Sequence, residues 1–463
     1  MEAHNSQTLT SKKIRMSLAG ISVAMFLLFT AYEGLEILQS SLNSEGNIGV
    51  LSLSVVYGTF LVSSLLIAQP LVNALGSKVT IAVCQWGYIA WVAANAFPEP
   101  ILLLVSSLVV GIVAGPLWIA IRCYISLLAK DYAILKSKDV HTTSAKFFGF
   151  STAVSVLRLF CSSAISLLIF QSDDSSDSNP NVTCGASCTP DWERMSNSSS
   201  NGLITDTTLY ILVGVYTGVA MLSFLIILLC TRSVDDKIKS SCADLPSSLI
   251  AIFKHTLNKE QLLLIPFTLA IEWMKSIFKS DYVKWFVVCP LGIKWLPYVT
   301  AVYAVFEITS SMSSGWLIQR FGWRVTFNTA MVLEIGFLCV SLVWVPSVDE
   351  WWLSFLVPSM HGLYTGTVNS LIPAFVGAVF PNKLSVALVQ QQMWMTLGAV
   401  LSFVTSALMC FAVKLYVTIA LFSVSFVGLN IELVVMRRRQ EKERKGDILL
   451  QDQTNAEKNS ENT

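Results

Sequence analysis

Runs of roughly twenty apolar residues recur along this chain from Ile14 to Met436, and each is long enough to cross a hydrocarbon layer about 30 Å thick. Inside such a layer the backbone can satisfy its own hydrogen bonds only as helices or as a closed barrel. A barrel shows segments of about ten residues with alternating polarity, and stretches such as Ile101 to Val113 and Leu415 to Phe426 show no alternation. Charge content points the same way: 54% of the 463 residues are hydrophobic and 13% are charged, against about 25% charged in an ordinary soluble domain. The chain is therefore expected to be an all-α polytopic membrane protein whose obligatory surroundings are the lipid bilayer. A net charge of +1 gives no ground for a nucleic-acid partner.

Twelve transmembrane helices are expected, near residues 16–38, 51–73, 79–97, 101–121, 147–170, 207–230, 262–287, 296–318, 324–345, 352–380, 384–409 and 415–436. The first run is too long for the apolar segment of a cleavable signal, and no small-residue cleavage site follows it. Lys and Arg collect on the cytosolic side of short loops. Here they fall at Lys12, Lys13 and Arg15, at Lys78, between Lys130 and Lys146, between Arg232 and Lys259, at Arg320 and Arg324, and from Arg437 to Arg439. The alternate connections carry acids instead, among them Glu45, Glu99, Asp173, Asp174, Asp349 and Glu350. Both termini are thus expected in the cytosol. The loop after the fifth span agrees, because Asn181-Val-Thr183 and Asn197-Ser-Ser199 are glycosylation acceptors of the lumenal side. Cys184 and Cys188 share that loop, so a local disulfide between them is expected, with a pair of free thiols as the alternative. Cysteines inside apolar runs, such as Cys84, Cys161, Cys339 and Cys410, read as small, soft hydrophobes.

The chain also repeats itself. Leu71-Val-Asn73-Ala-Leu75-Gly76-Ser-Lys78 follows the second expected span, and Leu317-Ile-Gln319-Arg320-Phe321-Gly322-Trp-Arg324 follows the eighth. Leu, an amide, Gly and a cation recur at equal offsets. Such repetition marks transporter-like architectures. It divides the chain into a cytosolic segment 1–15, a six-helix half at 16–230, a cytosolic loop at 231–261, a second six-helix half at 262–436 and a basic tail at 437–463. The tail's Arg437, Arg438 and Arg439, with Lys442, Arg444 and Lys445, suit anionic inner-leaflet lipids.

The loop Gly315-Trp-Leu317-Ile-Gln319-Arg320-Phe-Gly322-Trp-Arg324 resembles the signature loop of the major facilitator superfamily, with Gln319 where that pattern has an acid. A resemblance over nearly all of the spanning region is to the Unc-ninety-three family, a divergent branch of that superfamily. Its marks are Leu38-Gln39-Ser40-Ser41-Leu42-Asn43, then Gly49-Val-Leu-Ser52-Leu53-Ser-Val55-Val-Tyr57, Gly115-Pro116-Leu117-Trp118 with Cys123-Tyr124, Phe148-Gly149-Phe150, and Phe380-Pro381-Asn382-Lys383 leading to Trp394 and Leu397-Gly398. The resemblance implies two pseudo-symmetric six-helix halves. It also implies unusual work for such a fold, since one member is a regulatory subunit of a two-pore-domain potassium channel and another escorts Toll-like receptors to endosomes.

Ionisable groups inside the bilayer cost at least about 2.5 to 3.5 kcal/mol and normally find partners in the protein interior. Arg158 in the fifth span and Glu307 in the eighth lie at matching depths, so an ion pair between the halves is expected there, either as a latch or as a static contact. Glu272, Lys275 and Lys279 share one face of the seventh span, where Glu272 and Lys275 can pair at i, i+3. That face either lines a cavity without a ligand or binds an ion or substrate. Asp281 and Lys284 are expected at the outer interface, with the lysine snorkelling. Glu33 and Glu36 on the first span form a cation-attracting vestibule or reach interfacial water. Glu334 and His361 lie near mid-depth, and Arg122 snorkels from the inner end of the fourth span.

Among the residues of the sequence there is no phosphate-binding glycine loop, no metal-ligand cluster and no Ser-His-acid set, so neither an enzyme nor a cofactor is expected. A regulatory subunit of a potassium channel or another membrane protein is the expected function. The alternatives are a secondary transporter of a small solute or ion, and a receptor-trafficking escort. The plasma membrane is the expected location, with the endosomal membrane as the alternative.

Overall fold

The computed structural model describes residues 2–43, 47–138, 140–171, 184–186, 205–232, 254, 256–380 and 384–461. Asn181, Asn197, Cys188 and most of the central loop lie outside the described residues. In chain order the helices are α1 (Glu2–Glu36), α2 (Gln39–Leu42), α3 (Ile48–Leu66), α4 (Ala68–Leu75), α5 (Ser77–Ala94), α6 (Pro100–Leu135), α7 (Val140–Ser155), α8 (Arg158–Phe170), α9 (Asp206–Cys230) and α10 (Lys259–Ile277). A π-helix (Phe278–Val288) continues α10, followed by α11 (Cys289–Leu291), α12 (Leu296–Val343), α13 (Leu353–Val379), α14 (Leu384–Leu408) and α15 (Phe411–Glu461). Among the described residues eight helical segments are long and apolar enough to cross a membrane. Helices α5, α13 and α14 occupy the expected spans near 79–97, 352–380 and 384–409.

Local chemistry sets the ends. Pro100 opens α6 at a position where its missing N–H costs nothing. The Thr205 hydroxyl caps α9 by accepting from the Thr208 amide at 3.3 Å. Gly76 separates α4 from α5 at φ 79°, ψ 159°, and Gly322 kinks α12 at φ 77°, ψ 169°. Both repeat loops therefore turn on a glycine in nearly the same conformation, one that L side chains rarely adopt. The expected fifth span is split into α7 and α8. Arg158 begins α8, and its Nη1 donates to the Ser155 carbonyl at 3.0 Å, bridging the break.

Close packing is achieved through small residues spaced four apart, which let helix backbones approach. A Cβ at Gly111 of α6 would collide with Thr59 Oγ1, and one at Gly115 would stand 2.6 Å from the Ser64 amide nitrogen, both on α3. On α13, a Cβ at Gly362 would meet the Tyr303 carbonyl oxygen of α12 at 2.6 Å, and one at Gly366 would collide with the Glu307 carbonyl oxygen. The π-helix, a rare and wider coil, lines up Phe278, Tyr282 and Phe286. Their rings stack at 5.7 and 5.1 Å between centroids and pack against Tyr303 and Phe337 of α12.

Two cysteine expectations are corrected. Cys184 pairs with Cys289 at the end of the π-helix, not with Cys188. The Gly185 amide donates to the Trp285 carbonyl at 3.2 Å, which draws this loop onto the seventh span and brings the two Cα atoms to 5.8 Å, within bridging range. Cys410 is also disulfide-bonded rather than a packing residue.

Candidate functional site

Between the helices lies a cavity of about 470 Å³, walled by α1, α3, α5, α6, α7, α8, α10, the π-helix, α13 and α14. Its charged residues are Glu33, Glu36, Arg122, Arg158, Glu272, Lys275 and Lys279. Glu33 and Glu36 stand one turn apart at the end of α1. Arg158 Nε donates to Glu33 Oε1 at 2.8 Å, Lys279 Nζ donates to Glu36 Oε2 at 2.6 Å, and Tyr57 donates to Glu36 Oε1 at 2.6 Å. Glu272 and Lys275 form an ion pair within α10. Burying such charges in low dielectric is tolerable because each carboxylate has a cation in contact.

The expected contact between Arg158 and Glu307 is not formed. Glu307 stands within Coulombic range of the guanidinium, but α8 begins against α1, so Glu33 takes the direct bond. Glu33 and Glu36 are consequently ion-paired rather than an open vestibule. Arg122, expected to snorkel, stands on the cavity wall instead.

Two further pairs lie away from the cavity. Asp281 Oδ2 accepts from Lys414 Nζ at 2.6 Å, Ser406 Oγ at 2.8 Å and Ser280 Oγ at 2.9 Å. Lys414 Nζ also donates to the Ser402 carbonyl at 2.8 Å, and its side chain is 0% exposed. Asp281 and Lys284, expected at the outer interface, are both buried. Lys284 lies 5.4 Å from the Trp285 ring centroid, as a cation over an aromatic face does. Glu334 Oε1 and His361 Nδ1 are 2.8 Å apart with neither side chain exposed, and His361 sits among the rings of Phe278, Tyr303 and Phe337.

Lys414 is the residue that sequence reasoning passed over, because a lone lysine at the start of an apolar run reads as a span boundary. Ser402 and Ser406, one turn apart on the preceding helix, were the available signal. Of the repeat loops, Lys78 donates to the Thr231 and Leu228 carbonyls at the end of α9. Gly315, Arg320 and Arg324 are helical residues of α12 on either side of the Gly322 kink, and Arg324 lines a second cavity beside Arg437 and Arg438.

Residues 43–348 match the model of the UNC-93 family, described as ion channel regulatory protein UNC-93. The chain belongs to the UNC-93 family. Among relatives, protein unc-93 homolog A of Xenopus laevis is 29% identical over 416 residues, which is 88% of this chain and 90% of that protein. The putative potassium channel regulatory protein unc-93 of Caenorhabditis elegans is 25% identical over 426 residues, 89% of this chain and 59% of that longer protein. Among solved structures, the nucleoside transporter NupG aligns with a TM-score of 0.56 at 13% identity, covering 89% of this chain and 98% of its own. A D-xylose-proton symporter aligns equally well, with a TM-score of 0.56 at 13% identity over 90% of this chain and 96% of its own. This member of the UNC-93 family is thus a multi-pass membrane protein with the fold of major facilitator transporters.

Proposed function

We propose that this chain is a non-catalytic regulatory subunit of a membrane channel, most concretely a potassium channel. The match of residues 43–348 to a family described as ion channel regulatory proteins carries the reading. The cavity supports it chemically. A cation pathway selected by side chains keeps rings of carboxylates available to the ion, whereas Glu33, Glu36 and Glu272 each hold a cation of the same chain. Conduction therefore belongs to the partner, and this chain acts on it by contact. The proposed architecture is twelve spans in two halves, 16–230 and 262–436, joined by 231–261, with both termini cytosolic and Asn181 and Asn197 glycosylated outside, in the plasma membrane. Its support is the paired glycine turns at Gly76 and Gly322 and the paired close contacts at Gly111 and Gly115 of α6 and Gly362 and Gly366 of α13.

A second reading, alternating-access transport of a small solute, is favoured by the cavity and by the fold shared with transporters. Co-expression with a two-pore-domain potassium channel, with recording of currents beside a solute-uptake screen in the same cells, tests both. The expected result is a changed current amplitude and no uptake. Unchanged currents together with uptake that is lost in Arg158→Gln overturn the regulatory reading in favour of transport.

A further inference from the structure

One cation on the cavity wall has no carboxylate in contact among the described residues. The three carboxylates of the wall, Glu33, Glu36 and Glu272, are held by Arg158, Lys279 and Lys275. That leaves Arg122 as a fourth cation of the lining with no carboxylate in contact among the described residues; Glu307, outside the lining, acts on Arg158, Lys275 and Lys279 and not on Arg122. The protein partner that Arg122 does have is neutral and loose: its Nη2 donates to Gln392 Oε1 at 3.5 Å, the far limit of a hydrogen bond. The Arg122 side chain is exposed, so its remaining guanidinium donors are open to an anion that enters the cavity.

The wall beside it is aromatic. Trp118 precedes Arg122 by four residues on α6, so the two share a helix face, and both line the cavity. The indole is held by stacking on Phe29, with ring centroids 4.8 Å apart and planes inclined by 24°. A guanidinium offers planar, bidentate donors to a carboxylate, and a fixed indole offers a flat apolar surface. The volume of about 470 Å³ lies within the range of sites for small organic ligands.

We propose that this cavity binds a small organic monoanion, its acid group on Arg122 and its flat apolar body against Trp118. The inference rests on the cavity alone and not on channel regulation. Either outcome of the current recordings leaves it standing.

The test is equilibrium binding to the purified full chain in detergent, using 1-naphthoate as probe beside its neutral counterpart 1-naphthamide and the cation 1-naphthylmethylammonium. Naphthoate is expected to bind saturably, with the amide and the ammonium weaker by about tenfold or more, the scale of a lost charge-assisted hydrogen bond. In Arg122→Gln the preference for acid over amide disappears while amide binding stays as in the parent, and Arg122→Lys retains part of the preference. The amide arm separates the site from partition into the micelle, and an unchanged melting temperature of Arg122→Gln shows that the variant is folded. Equal affinity for acid and amide, preference for the ammonium, or full retention of naphthoate affinity in Arg122→Gln overturns the proposal, as does the absence of saturable binding by all three probes.

Discussion

The ion pairs on the cavity wall and those enclosed in the carboxy-terminal helices use the same chemistry in different surroundings. Arg158 keeps 33% of its side-chain surface exposed while bound to Glu33, and Lys279 keeps 18% while bound to Glu36. Lys414 and Asp281 are 0% and 7% exposed. The cavity pairs join separate elements, α1 to α8 and α1 to the π-helix; Glu36 is itself 1% exposed, but the cation of each pair lines the cavity and can turn toward it when its carboxylate is removed. The enclosed pair has no such exit. Lys279 and Asp281 are two residues apart on one helix, which places them on opposite faces. The π-helical segment thus carries an exchangeable contact on one side and a fixed one on the other, so a movement that releases Glu36 leaves the anchor at Lys414 in place.

Breaking the enclosed pair is the largest effect expected. Lys414→Met strands the Asp281 carboxylate with the Ser280 and Ser406 hydroxyls alone, and removal of one member of a buried pair costs about 3 to 5 kcal/mol. Thermal unfolding in detergent measures it as a large drop in melting temperature. The double variant Asp281→Asn with Lys414→Met is expected to recover most of the loss, because no buried charge remains. A single variant that melts like the parent would contradict the distinction between the two regions.

How far these contacts were legible in the sequence follows from the range over which each is determined. The helices were readable because twenty-residue apolar runs have one solution in lipid, and Gly76 and Gly322 were readable because a repeat exposes them. The pairing of Glu272 with Lys275 was also local, fixed by helical periodicity. Partners across helices were not. Arg158 and Glu307 share a depth, but the choice between Glu307 and Glu33 depends on how α8 is rotated after the break at Val156 and Leu157, and a one-dimensional pattern does not encode rotation. Cys184 illustrates the same limit, since its partner Cys289 is 105 residues away while Cys188 lies four residues away. The π-helix changes which side chains share a face, so an α-helical pattern puts Asp281 at the interface instead of against Lys414.

A smaller effect on stability is expected on the cavity wall. Glu36→Gln removes the charge that holds Lys279 but keeps an oxygen for the Tyr57 hydroxyl. Because Lys279 retains access to the cavity, the cost is that of one charge-assisted bond, about 1.5 to 3 kcal/mol at most. Surface expression is expected to survive while modulation of the co-expressed channel falls, and the two are read in the same cells. If Glu36→Gln melts as low as Lys414→Met, both pairs are equally structural and the contrast fails.

Glu272→Gln is expected to do least. Its partner Lys275 sits one turn along the same helix, so the pair joins no two elements, and both side chains keep about a fifth of their surface exposed. Intrahelical pairs of this kind contribute roughly 0.2 to 0.5 kcal/mol, below what most melting measurements separate from zero. Expression, melting temperature and current modulation should all stay near the parent values. Loss of modulation at unchanged stability would move Glu272 from a bystander on the wall to a participant, because the freed Lys275 ammonium would then add a second unpaired cation to a cavity that already holds Arg122. That outcome is also visible in binding: a second unpaired cation on the wall should strengthen 1-naphthoate affinity while leaving 1-naphthamide unchanged, so the two readouts together tell a change of charge from a change of shape.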